Sequence, residues 1–408
     1  MKRCRICDGP VRETLDLGRQ PLSDAFIDPT APPGPDGEFF FRLGVGACES
    51  CTMVQLVEAV PRERMFHHDY PYRSSRSDRM REHFERTART LLDGVRAGPD
   101  PFVVEIGCND GAMLAAIDTA GVRSLGVDPS GRAAAVAARN GLRVRTDFFE
   151  ESSAASIRAA EGPADLIYSA NTISHIPYLG SVFRGVDRLL APDGLFVFED
   201  PYLGDILDRS AFDQIIDEHF YFFTVRSVRA TARRFGFELV DVERLPVHGG
   251  EIRCTVARAG RRPPAPAVAA LLAREDALGR TSGPAFRGLA TAARRIRDDL
   301  LTLLRTLRAD GRRVVGYGAT AKSATVLNYC GIGPGLVPFV CDSTPEKQGR
   351  LTPGSHLPVR PPAAFSDPYP DYAVLFAWNH AQEIMMKEQA FHAAGGRWIL
   401  YVPDVHLV

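Results

Sequence analysis

Through the middle of the chain, short apolar runs alternate with amphipathic stretches. The runs are Phe102–Ile106, Ser124–Val127, Ala164–Ser169 and Gly194–Glu199. Strands alternating with helices predict an α/β unit built on a parallel, doubly wound sheet. A helix-like piece follows near residue 212, then Glu238–Glu243 and Glu251–Ala257, which read as late antiparallel strands. Gly260-Arg261-Arg262-Pro263-Pro264-Ala265-Pro266 is a linker by composition. Beyond it Leu289, Ala293, Ile296, Leu300, Leu304 and Leu307 recur at helical spacing. A second strand–helix series then begins, with runs at Arg313–Tyr317, Leu336–Cys341, Ala373–Ala377 and Trp398–Val402.

The N-terminal stretch has a different texture, with two Cys pairs and a proline-rich loop at Asp28–Pro35. The expected organisation is a small module over 1–70, an α/β domain over 71–260 and a second α/β domain over 261–408. A length of 408 residues suits two or three domains. Lys and Arg number 49 against 50 Asp and Glu, a formal net charge of -1. That balance argues against a general nucleic-acid binder, which needs a basic footprint. No apolar run is long enough for a membrane span, and no apolar stretch follows the basic start Met1-Lys2-Arg3. A cytoplasmic location is therefore expected, with no membrane partner, and a monomer is expected.

Eight cysteines in a reducing compartment are not expected to form disulfides. Cys4-Arg5-Ile6-Cys7 and Cys48-Glu49-Ser50-Cys51 have knuckle spacing, two thiolates per turn for one tetrahedral ion. Four Cys ligands leave no open coordination position, so Zn2+ here is structural. A redox dithiol is the competing reading. Cys108, Cys254, Cys330 and Cys341 are scattered and read as buried small hydrophobes.

Val103–Ile106, Gly107-Cys108-Asn109-Asp110-Gly111 and Ala112-Met113-Leu114 read as a strand, a glycine-bearing turn and a helix start. Gly107 and Gly111 allow a ligand close to the backbone. Asp128 ends the next strand, where an acid can accept two hydrogen bonds from a ribose diol. The loop lacks a G-x-G-x-x-G fingerprint, which favours a ligand without a pyrophosphate. E-x-G-x-x-x-G followed by an acidic strand end resembles class I methyltransferases that use S-adenosylmethionine. The resemblance implies that Glu105, Gly107, Asn109 and Gly111 line the methionine side and that Asp128 holds the ribose. It implies further that Asp147 and Phe148 flank the adenine, and that Ala170 and Asn171 end the fourth strand beside the cofactor.

His175 follows that fourth strand, where ligands sit in open parallel sheets. Asp217-Glu218-His219 lies in an aromatic and aliphatic setting, a plausible site for a general base because burial tunes both acid and imidazole. In the last domain Gly316-Tyr317-Gly318-Ala319-Thr320-Ala321 follows a strand, and Asp342 ends the next one. Taken alone this is a dinucleotide fingerprint, with Lys322 and Ser323 at a helix N-terminus where a diphosphate meets backbone donors.

Four blocks together, the Cys pairs, E-I-G-C-N-D-G, D-E-H-F and G-Y-G-A-T-A-K-S with N-Y-C-G-I, resemble the zinc-containing sugar C-methyltransferases of deoxysugar biosynthesis. The closest subgroup methylates C-3 of a dTDP-linked 3-amino-4-keto-2,3,6-trideoxy sugar. The resemblance implies His219 as catalytic base, with Glu218 and His175 as its partners and Tyr72 reaching the sugar from the zinc-module side. It places Val247-His248-Gly249-Gly250 in a loop near the active site, and makes the ligand of Gly316, Gly318, Lys322 and Ser323 the sugar's diphosphate. The family pattern carries tyrosine before D-E-H; here Ile216 stands there, removing a phenol expected near the keto oxygen. The competing functions are an NAD-dependent sugar oxidoreductase using Gly316–Ala321, an N- or O-methyltransferase, and a zinc-knuckle adaptor for nucleic acid. The last is weakened by Asp8, Glu13, Asp16, Asp24 and Asp28 in the module.

Overall fold

β-Branched and aromatic runs with period-two or continuous burial become strands of three separate sheets. A computed structural model describes residues 2–30, 37–61, 65, 74–95, 100–280 and 283–408. Tyr72 lies outside the described residues, as does most of the proline-rich loop.

The first sheet is wholly antiparallel, in the order Lys2–Arg3, Pro10–Pro21, Phe40–Cys48, Val54–Leu56 and then Tyr221–Phe222. Its fifth strand comes from far along the chain. The central sheet has seven strands, in spatial order Phe237–Leu245, Glu251–Arg258, Leu190–Pro201, Ala164–Ala170, Phe102–Ile106, Arg123–Val127 and Val144–Arg145. Numbered along the chain this is 3-2-1-4-5-7-6 when read from the far edge, with strand 7 antiparallel to its neighbours 5 and 6 and every other pair parallel. It is the order expected of a class I methyltransferase. All five residues of Phe102–Ile106 are buried, as a strand covered on both faces by helices requires.

The third sheet runs Val359–Arg360, Val340–Cys341, Val314–Tyr317, Tyr372–Leu375, Arg397–Leu400, His406–Leu407, and all but the last strand are parallel. Along the chain this is 3-2-1-4-5-6, the doubly wound order whose ligand crevice opens between strands 1 and 4. Two expectations change. The strand expected over Leu336–Cys341 shrinks to Val340–Cys341, because Gly333–Leu336 turns and Pro338 has no N–H for a ladder. A helix at Pro266–Ala277 precedes the expected one, which spans Gly283–Ala309. The added helix packs against Phe237–Leu245, and its buried Glu275 accepts from the N–H groups of Val225 and Arg226 (2.6 and 3.0 Å) and from Tyr202 Oη (3.0 Å). It thereby caps the helix Val225–Arg234. Among the described residues no helix is long and apolar enough to cross a membrane.

The segment Phe212–Phe223 touches all three units. On the first-sheet side, Tyr221 and Phe222 pair with Gln55 and Val54, and the Ser23 N–H donates to Asp217 Oδ1 (3.1 Å). On the central side, the Phe220 N–H donates to the Ser174 carbonyl (2.8 Å) and the Leu203 N–H to the Phe223 carbonyl (2.9 Å). On the third side, Asp213 Oδ2 accepts from Trp378 Nε1 (2.6 Å) and Tyr401 Oη (2.7 Å), and Thr325 Oγ1 donates to the Ile215 carbonyl (3.1 Å). Gly249 completes this junction. It has φ +94°, and a Cβ there would lie 2.8 Å from the Trp378 ring and 2.9 Å from Gln214 Nε2.

Gly249→Ala is therefore expected to lower unfolding free energy by about 1–3 kcal/mol, the scale of overpacking in a filled site. Thermal unfolding of the full chain checks this; an unchanged midpoint would contradict the tight junction.

Candidate active site

At the carboxyl ends of the central parallel strands a cavity opens, with about 1050 Å³ of empty space when the solvent at its mouth is included. Its floor is the first strand and the turn after it: Glu105, Ile106, Gly107, Cys108 and Asn109. Gly107 has φ +72°, and a Cβ there would run into Thr172 at 2.1 Å, so only glycine lets the turn pass this close. Asn109, also in the left-handed region, donates its N–H to Asp128 Oδ2 (2.8 Å), while Asp128 Oδ1 accepts from the Ser130 N–H (2.8 Å). Glu105 is buried beside this acid. Burial first, and then the Asp128 charge, push its carboxyl well above the usual range.

Phe148, Ala170 and Asn171 line the cavity as expected from the sequence. Gly111 and Asp147 do not. Gly111 caps the helix Ala112–Thr119, and a Cβ there would meet Leu142 and Ala137 rather than the cavity. Asp147 turns to the surface and pairs with Arg145 at 3.2 Å. Several wall residues carry no local motif. Ser74, Met80 and Phe84 reach the cavity from a short 3₁₀ turn and the helix Asp78–Asp93. Asp110 holds that turn by accepting from Ser75 Oγ (2.6 Å) and Ser74 Oγ (3.2 Å). The helix is anchored where buried Glu199 meets His83 Nε2 (2.6 Å) and Arg253 Nε (2.7 Å). Its amphipathic pattern gives no sign that Met80 and Phe84 face a ligand.

At the inner end two imidazoles meet. His175 lines the cavity, and the His219 ring lies 5.0 Å from it, centre to centre. His219 Nδ1 is 2.9 Å from the Gln214 carbonyl oxygen. A carbonyl only accepts, so Nδ1 carries the proton and Nε2 presents its lone pair. Glu218 Oε2 is 3.9 Å from His175 Nδ1. Burial pulls His175 down to about 4. His219 falls well below its usual 6.5, through burial and then the charges of His175 and Lys322. Both rings are thus neutral near pH 7. His248 also lines the cavity, its ring 5.7 Å from that of His380 in the last domain.

The second glycine loop repeats the first with a different outcome. Asp342 Oδ2 accepts from the Ala319 N–H and Oδ1 from the Thr344 N–H, both at 2.7 Å. Here, however, Lys347 Nζ donates to the Ala319 carbonyl (2.8 Å), lies 3.6 Å from Asp24 and rests over the Phe26 ring. Residues of the N-terminal module thus stand beside this loop. Gly316 and Gly318 are packed against Phe376 and Ala377. Ser323 is buried, and its hydroxyl donates to the Thr320 carbonyl (2.6 Å).

The four N-terminal cysteines converge. Their sulfurs all lie within 4.8 Å of one another, with Cys4–Cys51 at 3.6 Å and Cys7–Cys48 at 3.4 Å. The two knuckles have the same shape: the Asp8 N–H returns to the Cys4 carbonyl and the Thr52 N–H to the Cys48 carbonyl, both residues with φ near +60°. Backbone N–H groups of Ile6, Gly9, Ser50 and Cys51 point at sulfur, each at 3.4 Å.

Three family models cover most of the chain. They are described as "Putative zinc binding domain" over residues 4–66, "Methyltransferase domain" over 72–242 and "C-methyltransferase C-terminal domain" over 246–403. The C-methyltransferase NovU of Streptomyces niveus is 34% identical over 407 residues, 99% of this chain and 96% of that one. The chain belongs to the C-methyltransferase family. This C-methyltransferase is also 32% identical over 106 residues to a sarcosine/dimethylglycine N-methyltransferase of Halorhodospira halochloris, covering 23% of this chain and 36% of that one. Among solved structures, magnesium protoporphyrin IX methyltransferase of Synechocystis PCC 6803 with bound SAH overlaps it at TM-score 0.35 and 13% identity, over 44% of this chain and 83% of that chain.

The methyl donor of the C-methyltransferase is S-adenosylmethionine, and the residues present fit it. The cavity offers a close turn at Gly107, where Thr172 leaves no room for a Cβ, a buried carboxylate at the second strand end, and the aromatic ring of Phe148. The metal is zinc, and the cysteines fit it as well. Tetrahedral thiolates at about 2.3 Å from an ion stand about 3.8 Å apart, close to the sulfur spacings here. The ion would hold the knuckles and leave no position for substrate.

Elemental analysis of the C-methyltransferase is expected to give about one zinc per chain, lost on Cys4→Ser or Cys48→Ser together with thermal stability. A fully stable, metal-free wild type would contradict a structural zinc.

Proposed function

We propose that the enzyme adds a methyl group to C-3 of a dTDP-linked 3-amino-4-keto-2,3,6-trideoxy sugar, through an enolate made by His219. One observation carries this reading: a neutral, buried imidazole with a committed tautomer sits beside His175 at the inner end of the cofactor cavity. Methylation of carbon, unlike that of nitrogen or oxygen, requires a carbon-bound proton to be removed first, and this arrangement supplies a base for it. A neighbouring ketone acidifies that proton. When bound, S-adenosylmethionine supplies a methyl already activated by its sulfonium.

In this reading His219 Nε2 takes the C-3 proton while Nδ1 stays bonded to Gln214, which fixes the ring. Glu218 and His175 hold the sugar from the adjoining side, and Tyr72 is the phenol assigned to it. Glu105, Gly107, Asn109 and Asp128 orient the donor's methionine and ribose, and Phe148, Ala170 and Asn171 flank its remaining parts. We assign neither Gly111 nor Asp147 to the donor, since both face away from the cavity. The nucleotide diphosphate lies toward the Gly316–Gly318 loop. Ser323 is left out of that contact because its hydroxyl is bonded within its own turn. Residues 1–70, 71–260 and 261–408 would then supply support, donor site and nucleotide-sugar site.

His219→Ala is expected to lower turnover by about 10²–10⁴-fold while both ligands still bind. NMR in D₂O without a methyl donor gives the direct test: wild type should exchange the sugar's C-3 hydrogen and the variant should not. Loss of exchange in His175→Ala alone would reverse the two roles. A product methylated on nitrogen or oxygen would remove the enolate reading.

The pH dependence has a definite sign. The competent base is the neutral imidazole, and burial lowers the His219 pKa below 6.5, so the neutral form persists to more acidic pH than in free histidine. kcat/KM is expected to stay level from neutral pH down past 6.5 and fall only below it. An acid limb centred at or above 6.5 would contradict His219 as the base in this environment.

A further inference from the structure

An enolate needs more than a base. As the C–H bond breaks, charge develops on the carbonyl oxygen, and a cation or hydrogen-bond donor must meet it there. Ile216 cannot do this: it is a hydrocarbon where the family pattern has a phenol. The helix Ala321–Cys330 of the last domain meets the base-bearing segment at two points, whose order along the two is reversed. The Tyr329 ring packs on Phe212, with centres 5.3 Å apart, and Thr325 Oγ1 donates to the Ile215 carbonyl (3.1 Å). Positions 322, 325 and 329 fall on one helix face. One turn before Thr325 the same face carries Lys322, whose charge acts on His219.

Topology gives the same answer. Lys322 follows strand 1 of the third sheet and His380 follows strand 4, so both stand at its ligand crevice. His380 meets His248, which lines the donor cavity. The ligand crevices of the two α/β domains thus face one another across the junction, with Lys322 at the second. Asp213, Glu251, His219, His248 and His380 are the charged and titratable groups around its amine. Among the described residues its ammonium forms no hydrogen bond and no ion pair. Burial lowers the Lys322 pKa from its usual value, and the charges of Asp213 and Glu251 offset part of that.

We propose that Lys322 is a catalytic residue that binds the sugar's C-4 keto oxygen and stabilises the enolate, rather than a ligand of the diphosphate. The inference rests on the sugar reading above. The C-3–H bond breaks and its proton goes to His219 Nε2. The bonding pair becomes the C-3–C-4 π bond, and the carbonyl π pair moves onto oxygen, facing the Lys322 ammonium. The enolate carbon then takes the methyl, the S–CH₃ pair returns to sulfur and the ketone re-forms.

Lys322→Met and Lys322→Gln remove the charge at nearly constant length, and retained S-adenosylmethionine binding shows that a variant is folded. At saturating sugar nucleotide, C-3 hydrogen exchange in D₂O is expected to slow by about 10²–10³-fold in either variant, the effect of losing one oxyanion donor. A weaker sugar-nucleotide Kd with exchange at saturation unchanged would overturn the proposal and restore the diphosphate role. A second readout needs no substrate. The NMR titration of His219 in the full chain should move to higher pH once the neighbouring cation is gone. A wild type that exchanges no sugar hydrogen would sink the substrate reading; the titration then still decides Lys322, and an unmoved His219 would overturn its placement.

Discussion

Residues 212–223 are held on three sides at once, and the arrangement of the molecule depends on that. The segment carries Asp213, Asp217, Glu218 and His219, all buried, between Phe212 and the aromatic run Phe220–Phe223, also buried. Burying three acids and an imidazole is costly unless each finds partners. The partners come from different parts of the chain: Ser23 for Asp217, Trp378 and Tyr401 for Asp213, the Gln214 carbonyl for His219. Burial of the aromatic side chains, about 1.5–3 kcal/mol each, offsets part of the cost. A segment restrained in this way has little freedom to move its imidazole, which suits a base that must meet one carbon-bound proton.

That restraint gives the small N-terminal module a role in an enzyme whose metal does no chemistry. Its sheet supplies the strand Val54–Leu56, against which Tyr221–Phe222 pairs, and the zinc knuckle at Cys48–Cys51 sits just before that strand. The metal site therefore adjoins the edge on which the segment carrying His219 is laid. The same module reaches the last domain through Lys347 with Asp24 and through His356 Nε2 with Glu38 Oε2 (2.9 Å). The three units close around one segment, and the site is made where they meet.

The two α/β domains share a local device: a strand, a glycine turn, and an acid at the next strand end that accepts two backbone N–H groups. Asp128 and Asp342 make equivalent bonds, at 2.7–2.8 Å. What separates the loops is their surroundings. A cavity opens over the first, while Lys347 and the N-terminal module stand beside the second. A glycine fingerprint encodes the turn, and neighbouring chain decides whether a cofactor has room there.

Much of this was legible in one dimension. Period and run length located the strands of the central sheet, because a strand buried on both faces has no polar positions to hide. Knuckle spacing located the four cysteines, because two thiolates three positions apart have little other use in such a turn. Glu105, Gly107, Asn109 and Asp128 could be named because strand, turn and strand end are local structures with local signals. Other features had no such signal. The strand over Leu336–Val337 was lost to a turn and to Pro338, although the run is apolar. Met80 and Phe84 joined the cavity because distant hydrogen bonds carry their helix there. The fifth strand of the first sheet came from a segment about 165 positions later, and no periodicity announces such a partner. The sequence by itself determined the glycine turns and the cysteine cluster. Only the tertiary structure decided that Gly111 and Asp147 stay out of the cavity lining and that the charge of Lys322 acts on His219, because where a side chain points is set by packing against residues far away in the chain.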